Sequence, residues 1–381
     1  MSKPPHKVFI AAAKRTAVSP RGGAFAQLEV SALAAPVLKA LAQCGAGRTL
    51  DIDAVILGNA LYGGGNPARV CALAAGLDVS VPAMTVDTQC CAGLDAISIG
   101  AAMIASGQAQ AIIAGGVESY SRSPIRAHRP ITASGVPVTY ERPPFTPWPE
   151  ADPDMVEAGA LLAGELEIAR SAQEIFAVQS HAKACAAQAR IAGELVTVQG
   201  VTTDSFTRPL KEAACKRFPA LAGGDAYALT SATIAVEADA AAAVLLVNES
   251  VLESLSPDHH PVEWVAGVSR GGDPTRPGLT PISAGRELLV RSSARVEDLA
   301  VVEIMEAFAV QAMAFTDMLA VPDGVFNRGG GALARGHPIG ASGAILAVRL
   351  FHELQQEKPG SAGLAAIAAA GGLGSAALLR A

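Results

Sequence analysis

Two adjacent cysteines, Cys90 and Cys91, mark the stretch of this sequence best suited to covalent chemistry. They lie in TVDTQCCAGLDAISIG (residues 85–100), where an apolar run that predicts a strand gives way to an Ala-rich run that predicts a helix. At such a junction the unpaired amide N–H groups and the helix dipole stabilise a thiolate, the nucleophilic form of cysteine. The alternative is that both are buried core residues, because free cysteine is among the most buried residue types. The local pattern leaves both interpretations open.

A second candidate group, His337, lies near the other end of the chain. It falls in NRGGGALARGHPIGASGA (residues 327–344), between a glycine and a proline and just before a predicted helix. Gly-rich segments let a backbone approach a ligand and often lead into a helix N-terminus. A lone histidine is more often structural, but one in this setting is suited to take the proton of a cysteine. We therefore predict that His337 activates the thiol.

Composition excludes several classes of protein. The chain has 381 residues, enough for two or three domain-sized units, and a net charge of −6, which argues against a nucleic-acid binder. No apolar run approaches the roughly 20 residues that span a bilayer. The N-terminus, MSKPPHKVFIAAAKRT, is a poor signal peptide and predicts a buried first strand. The six cysteines show no CxxC spacing, so we expect neither disulfides nor a metal site, and a cytoplasmic location.

Short apolar runs alternate with Ala-rich stretches, the pattern of a layered α/β protein. DAVILGNAL (53–61) and QAIIAGGVES (110–119) predict buried strands on either side of a helix over 93–106. The Pro-rich residues 122–154 predict a surface excursion. A helix over 155–170 follows, then another that opens at Ser171 with the capping box Ser-Ala-Gln-Glu. The adjacent pair His259 and His260 predicts a surface turn.

The layered pattern resumes after about Leu252 as a partial repeat. DAVILGN at 53–59 parallels LAVVEIM at 299–305, and AGGVES at 114–119 parallels AGGLGS at 370–375. Each match is weak alone, but two in the same order indicate duplicated halves whose equivalent loops meet at one site.

These motifs together resemble those of the thiolase superfamily, over nearly the whole chain. AAAKRTAVSPRGGAF is similar to the first strand and loop of that family, and GGGNPAR (63–69) to the segment before its nucleophile strand. QCCAGLDA matches the nucleophile motif, in which the reactive cysteine comes three residues before the glycine, and this selects Cys90. GHPIGASGA matches the histidine motif and makes His337 the base.

The resemblance implies an α/β thiolase fold, with two duplicated βαβ halves in five α-β-α-β-α layers. The expected divisions are an N-terminal half over 1–118, completed by about 227–252, an inserted loop domain over 119–226, and a C-terminal half over 253–381. The family forms dimers through an edge strand of the first half, and often tetramers through the inserted loop. The Pro-rich stretch is short for a tetramerising loop, which favours a homodimer over a homotetramer.

Two departures from the family pattern bear on the chemistry. The family carries Asn-Glu-Ala-Phe where this chain has Met305 at the first position, and a thioether cannot donate the hydrogen bond that the Asn provides. The family's second, acid/base cysteine falls at Ala368, and no cysteine follows Cys215. A methyl group cannot carry the proton of an enolate. The amides around Cys90 and Gly372 remain as predicted oxyanion donors.

The resemblance also implies that coenzyme A or acyl-CoA is the substrate and that no cofactor is bound permanently. The implied contacts with coenzyme A are Arg208, Ala220, Leu221, Ala235, Met155 and Phe308. Ala235 replaces a family serine, so one polar contact is lost. Lys216 and Arg217 either meet the phosphates of the coenzyme or belong to a solvated loop.

Three functions follow from these residues. The first is a thiolase-like acyltransferase that forms an acyl-cysteine at Cys90 and makes or breaks the C–C bond of a 3-oxoacyl-CoA. The second passes the acyl group from Cys90 to water, an amine or another nucleophile. The third is a non-catalytic subunit that binds coenzyme A, which retention of Cys90 and of the histidine loop argues against. The acyltransferase class is favoured, without a decision on the acceptor.

Overall fold

Strands of Ala, Val, Ile and Leu build one large mixed sheet. The computed structural model of the chain describes residues 6–44, 50–255, 260–322 and 324–381. Its strands are β1 Phe9–Arg15, β2 Ser19–Pro20, β3 Ala54–Gly58, β4 Ala83–Val86, β5 Ala111–Ser119, β6 Arg126–His128, β7 Val138–Tyr140, β8 Ala238–Val247, β9 Val262–Gly271, β10 Leu299–Ile304, β11 Ala362–Ala369 and β12 Leu373–Arg380. Its α-helices are α1 Val30–Ala42, α2 Pro67–Ala74, α3 Ala92–Ala105, α4 Met155–Glu165, α5 Arg170–Ile191, α6 Glu212–Cys215, α7 Glu249–Glu253, α8 Thr280–Arg291, α9 Ala309–Leu319, α10 Ala332–Arg335 and α11 Ile339–Leu354.

The strand order confirms that the fold is duplicated. The sheet runs β10-β11-β12-β9-β1-β8-β5-β3-β4, with β2 beside β8, and β6 and β7 form a separate hairpin. Counted outward from the β9–β1 join, β9, β12, β11 and β10 on one side correspond to β1, β8, β5 and β3 on the other. The directions also agree, because β3–β5 and β10–β11 are parallel whereas β5–β8 and β11–β12 are antiparallel.

One of the two repeat matches was out of register. Val55 on β3 pairs with Ile113, and the equivalent Val301 on β10 pairs with Gly363. AGGVES therefore corresponds to the last residues of β11, whereas AGGLGS spans the turn between β11 and β12. The two glycine pairs look alike in sequence but differ in backbone: Gly371 and Gly372 have φ of 77° and 78°, a turn conformation, while the glycines of β5 are in mid-strand.

Helices cover both faces of each half of the sheet, and the two central helices are shared between the halves, which gives five layers. α1 and α2 cover the outer face of the first half, and α8 and α9 that of the second. α3 and α11 lie between the halves, where they bury Ile97 and Leu346 among residues of both. The two central helices approach closely because of glycine: a Cβ on Gly93 would lie 2.8 Å from the amide nitrogen of Ala344. This approach brings the N-terminal ends of α3 and α11 together.

The chain leaves the sheet between β5 and β8, and this excursion carries β6, β7, α4, α5 and α6. The Pro-rich stretch at its start is largely exposed, as predicted. Two predicted helix limits were wrong. α4 ends at Glu165 rather than at Arg170, because Glu167 adopts a left-handed φ of 52°. The capping box at Ser171 is not formed: α5 starts at Arg170, whose N–H donates to the carbonyl of Ala226 at 2.8 Å.

Within the described ranges, no helix combines the length and apolar character that crossing a bilayer requires. His260 is exposed, as predicted, and His259 lies outside the described residues.

Candidate active site

Cys90 lies in a tight turn between β4 and α3. Residues Gln89–Cys91 form a single 3-10 turn that runs directly into the helix. Gln89 has a φ of 55°, a left-handed conformation that costs a non-glycine residue on the order of 1–3 kcal/mol. The carboxylate of Asp87 accepts the N–H of Gln89 at 2.9 Å and supports this conformation. The predicted strand-to-helix junction is therefore present, with the first of the two cysteines in the turn and the second, Cys91, fully buried.

His337 meets Cys90 from the other half of the molecule. The Sγ atom of Cys90 lies 3.1 Å from Nε2 of His337. The other ring nitrogen, Nδ1, lies 2.7 Å from the hydroxyl of Ser342, and that hydroxyl donates its proton to the carbonyl of Pro338 at 3.0 Å. Because the hydroxyl proton is committed to Pro338, Nδ1 must be the donor in its contact with Ser342. Nε2 is then unprotonated and faces the thiol as a base.

The resting pair is electrically neutral. Burial raises the pKa of Cys90 to about 12, and although the backbone N–H groups of Cys90 and Ala370 act in the opposite direction, they do not outweigh it. Burial also lowers the pKa of His337 to about 4. The sequence predicted a thiolate stabilised by the helix dipole. In the folded protein, removal of the sulfur from water has the larger effect, so the thiol keeps its proton until a substrate arrives.

Two backbone N–H groups, one from each half, lower the pKa of the Cys90 thiol against the effect of burial. One belongs to Cys90 itself and the other to Ala370, at the tip of the β11–β12 hairpin. Gly372, the predicted donor, lies in the same turn, but its carbonyl is engaged by the N–H of Gly272 at 2.7 Å. Gly372 and Ala370 thus belong to the same turn, and the oxyanion role of Gly372 stays a prediction.

The two residues that depart from the family pattern, Met305 and Ala368, both have apolar side chains. Met305 directly follows β10, has 1% of its surface exposed and packs in the core between the halves. Ala368 is partly exposed on β11, two residues before Ala370. The neighbouring carboxylate of Glu306 is buried and accepts from the hydroxyl of Ser180 and the amide of Asn327, both at 2.7 Å. Glu306 thus has a structural role in the MEAF segment.

Four residues of the site were not predicted: Ser342, Ala370, Glu118 and Tyr120. Glu118 is buried at the end of β5, where its carboxylate accepts from the N–H groups of Ala60 and Gly340, both at 3.0 Å. Burial raises its pKa to about 7. It ties β5 to the first turn of α11, next to His337. Tyr120 follows on the same segment, and burial together with the charges of Cys90, Glu237 and Glu118 raises its pKa.

Part of the predicted coenzyme A site adjoins His337. The N–H of Ala235 donates to the carbonyl of Ala307 at 2.9 Å, and the carbonyl of the next residue, Val236, accepts the N–H of His337 at 2.7 Å. Phe308 lies against α4, where a Cβ on Gly159 would be 3.4 Å from its ring. Met155 is the first residue of α4 and is partly buried. Backbone hydrogen bonds thus connect the segment of Ala235 both to the MEAF segment and to the histidine loop.

The other predicted contacts lie on the inserted segment. The guanidinium of Arg208 stacks on the ring of Phe206, 4.0 Å from its centroid. Ala220 and Leu221 are exposed in a turn closed by the N–H of Leu221 and the carbonyl of Leu229 at 2.8 Å. Lys216 and Arg217 are also exposed. Among the residues that the structure describes, no group of three or more His, Cys, Asp or Glu side chains is arranged to hold a metal ion.

A Cys–His pair between two duplicated halves, with backbone amides around the sulfur, defines an acyl-transferring enzyme of layered α/β architecture. Two family models match the chain, the thiolase N-terminal domain over residues 8–250 and the thiolase C-terminal domain over residues 261–381. The chain belongs to the thiolase family. It is an acyltransferase whose substrates are thioesters of coenzyme A.

Relatives and solved structures agree with this assignment. The chain is 35% identical to "Putative acetyl-CoA C-acetyltransferase VraB" of Staphylococcus aureus (strain MRSA252), over 98% of this chain and 99% of the relative. It is 36% identical to "Putative acetyl-CoA C-acetyltransferase YhfS" of Bacillus subtilis (strain 168), over 96% and 97%. The crystal structures of the Bacillus anthracis acetyl-CoA acetyltransferase and of human mitochondrial 3-ketoacyl-CoA thiolase superpose over the full length of both chains. Their TM-scores are 0.89 and 0.88, at 28% and 25% identity.

Proposed function

We propose that the enzyme forms a covalent acyl-cysteine at Cys90 from acyl-CoA. As Sγ attacks the thioester carbonyl, Nε2 of His337 takes the thiol proton, and the N–H groups of Cys90 and Ala370 stabilise the oxyanion. When the tetrahedral intermediate collapses, the C–S bond to coenzyme A breaks and the imidazolium returns the proton to the departing thiolate. The observation that carries the proposal is the 3.1 Å contact between Cys90 Sγ and the unprotonated nitrogen of His337.

The favoured second step makes or breaks the C–C bond of a 3-oxoacyl-CoA. The supports are family membership and the acetyl-CoA C-acetyltransferase names of the relatives. Met305 and Ala368 offer no proton carrier for the enolate, so in this scheme His337 acts a second time. It removes the proton that generates the enolate, or returns one to it during cleavage.

A second candidate is acyl transfer from Cys90 to water, an amine or another nucleophile. The observation that favours it is the apolar character of Met305 and Ala368, because such a transfer needs no enolate and one base suffices. The same contacts between Cys90 and His337 argue against a non-catalytic subunit that only binds coenzyme A.

Mass spectrometry of the acyl adduct separates these functions. After incubation with acetyl-CoA and with longer acyl-CoAs, we expect one acyl group on Cys90, none in Cys90→Ala, and wild-type labelling in the control Cys185→Ala. Absence of any adduct on the wild-type protein would overturn the proposal. Conversion of the adduct and a second acyl-CoA into a 3-oxoacyl-CoA supports the thiolase reaction, whereas an adduct that yields no 3-oxoacyl-CoA but is discharged by water or amines supports the second candidate.

A double variant tests which of the two reactions the pocket retains. Ala368→Cys with Met305→Asn restores the two family groups, and we expect it to raise thiolysis about 10²-fold or more if their loss limits the rate. No gain would indicate a pocket adapted to another acceptor.

The binding and assembly assignments belong to the same proposal. We assign Met155, Phe308 and Ala235 to the pantetheine arm of coenzyme A, and Arg208, Ala220 and Leu221 to its nucleotide end. We also propose that the enzyme is a cytoplasmic homodimer, divided into the two halves and the inserted domain at the boundaries expected from the sequence.

A further inference from the structure

We propose that Asp95 is a positioning residue that, together with Cys91, holds the tip of the β11–β12 hairpin against the nucleophile turn. In this way it fixes the distance between the two N–H groups that face the Cys90 sulfur. The inference rests on the proposed function, since it concerns the oxyanion donors of the acylation step.

The carboxylate of Asp95 accepts hydrogen bonds from hydroxyl groups of both halves of the molecule. It lies in the first turn of α3, and 7% of its surface is exposed. Oδ2 accepts the hydroxyl of Thr88 at 2.6 Å, and Oδ1 accepts those of Ser269 and Ser375 at 2.6 and 2.7 Å. Thr88 immediately precedes the nucleophile turn, whereas Ser269 is on β9 and Ser375 on β12. Hydrogen bonds to a carboxylate at these distances are about twice as strong as neutral ones.

Cys91 holds the other strand of the same hairpin. Its thiol donates to the carbonyl of Ile367 on β11 at 3.5 Å, and Ile367 pairs directly with Ser375 across the hairpin. Asp95 and Cys91 therefore bind the two strands of the hairpin at the same cross-strand pair, Ser375 and Ile367. The tip begins only three residues beyond Ile367, at Ala370, whose N–H approaches the sulfur of Cys90.

This arrangement gives the second cysteine a role. Burial and the charge of Asp95 both raise the pKa of Cys91, so it remains a neutral thiol that can donate. One cysteine of the pair reacts, and the other holds the strand that supplies an oxyanion donor.

These hydrogen bonds matter because the two proposed oxyanion donors, the N–H groups of Cys90 and Ala370, belong to different halves. Nothing covalent near the site fixes Ala370 relative to Cys90, and a misplacement of about 1 Å at a reacting centre costs on the order of 10²-fold in rate. The Thr88 bond acts from the other side, since it holds the start of the turn in which Gln89 is left-handed.

The experiment compares two reactions of Cys90. Acylation by acetyl-CoA develops an oxyanion and needs both donors, whereas alkylation by iodoacetamide needs only the thiol and its base. We expect Asp95→Asn and Ser375→Ala to slow acylation about 10- to 100-fold and to change alkylation by less than about twofold. Ser375→Thr, which keeps the hydroxyl, should recover most of the acylation rate. The matched control is Ser98→Ala on the same helix, whose hydroxyl donates to the carbonyl of Leu94, and it should leave both rates within about twofold.

Amide hydrogen exchange supplies a readout that does not depend on activity. In Asp95→Asn and Ser375→Ala, peptides covering 367–375 should exchange faster than in the wild type and in Ser98→Ala. A wild-type protein that forms no adduct would overturn the proposed function, while the exchange result would still decide the positioning role. Equal slowing of both reactions, unchanged acylation, or unchanged exchange at the hairpin tip would each overturn the inference.

Discussion

At the scale of single residues, the chemistry of Cys90 depends on two opposed effects. Burial disfavours the thiolate, while the N–H groups of Cys90 and Ala370 favour it, and burial prevails in the resting enzyme. The same burial keeps His337 unprotonated. Ser342 accepts the hydrogen bond of Nδ1, and this leaves Nε2, the nitrogen that faces the thiol, without a proton. A neutral pair of this kind transfers its proton as the sulfur attacks, rather than before.

The pH dependence of acylation tests this neutral pair. Nε2 must be unprotonated to accept the thiol proton, and with a pKa of about 4 it is in that form throughout the neutral range. The second-order rate of acylation by acetyl-CoA should therefore be level between about pH 6 and 8 and fall on acidification, with a midpoint near 4. Rapid pH-jump mixing followed by quenching and mass spectrometry measures it. A midpoint near the ordinary histidine value of about 6.5 would contradict a desolvated imidazole.

The sequence singled out Cys90 and His337, which the structure places 3.1 Å apart, but not the residues around them. Cys90 and His337 each precede a helix inside a Gly-rich motif, and such motifs are visible without a fold. Ala370 was missed because the amide that faces the sulfur depends on the register of a hairpin and on two positive φ angles at its tip. Ser342 was within the quoted histidine motif, five residues after His337, but its role depends on where its hydroxyl proton goes.

At the scale of elements, the site depends on the contact between α3 and α11. Cys90 lies two residues before the start of α3 and His337 two residues before the start of α11, so the separation of the two helices sets the distance between thiol and imidazole. Glycines permit that separation: a Cβ on Gly343 would lie 2.6 Å from the amide nitrogen of Leu94. A backbone atom this close cannot move aside without shifting the helix.

A methyl group at Gly343 tests the contact. We expect Gly343→Ala to lower the free energy of unfolding by about 1–3 kcal/mol and to slow acylation of Cys90, because α11 must move away from α3. The control is Gly164→Ala in α4, where an added Cβ would meet nothing within 4 Å. It should leave stability unchanged or raise it by up to about 1 kcal/mol. Urea denaturation of both variants decides, and wild-type stability of Gly343→Ala would refute the argument.

Element types were more predictable than their ends. The strands around 53–61 and 110–119 and the helix over 93–106 appear close to the expected positions, because continuous apolar runs can only be buried strands or helices here. The end of α4 and the start of α5 were set by contacts distant in sequence, such as that between Arg170 and Ala226. A local capping pattern carries no information about such contacts.

At the scale of the whole molecule, the inserted segment is fixed to both halves by buried charges. Arg15 on β1 contacts Glu194 at 2.9 Å and Asp204 at 2.8 Å, all within the core. Glu194 also pairs with Arg349 on α11. Breaking such a buried pair is costly, because one charge is left without its partner. The charges thus join β1, α11 and the inserted segment.

The β4 edge of the sheet bears on the proposed homodimer. β4 is the last strand on its side of the sheet, and among the described residues it pairs with β3 alone, which leaves its outer edge without a strand partner in that part of the chain. Apolar side chains are exposed around it, including Val79 at 75% and Met84 at 45%. An exposed strand edge among apolar side chains is a template for pairing with another chain. A homodimer formed through β4 would cover both the open strand edge and the exposed apolar side chains.

Charge substitutions distinguish this edge from the β6–β7 excursion, which would join dimers into a tetramer. We expect the wild type to have twice the chain mass of 38.5 kDa in sedimentation velocity. Met84→Arg should yield monomers, because a buried unpaired charge would oppose pairing of the β4 edges. Ile131→Arg, at a fully exposed position in the excursion, should leave the dimer intact. A tetrameric wild type that Ile131→Arg reduces to dimers would show that the excursion does join them, and a dimeric Met84→Arg would place the interface elsewhere.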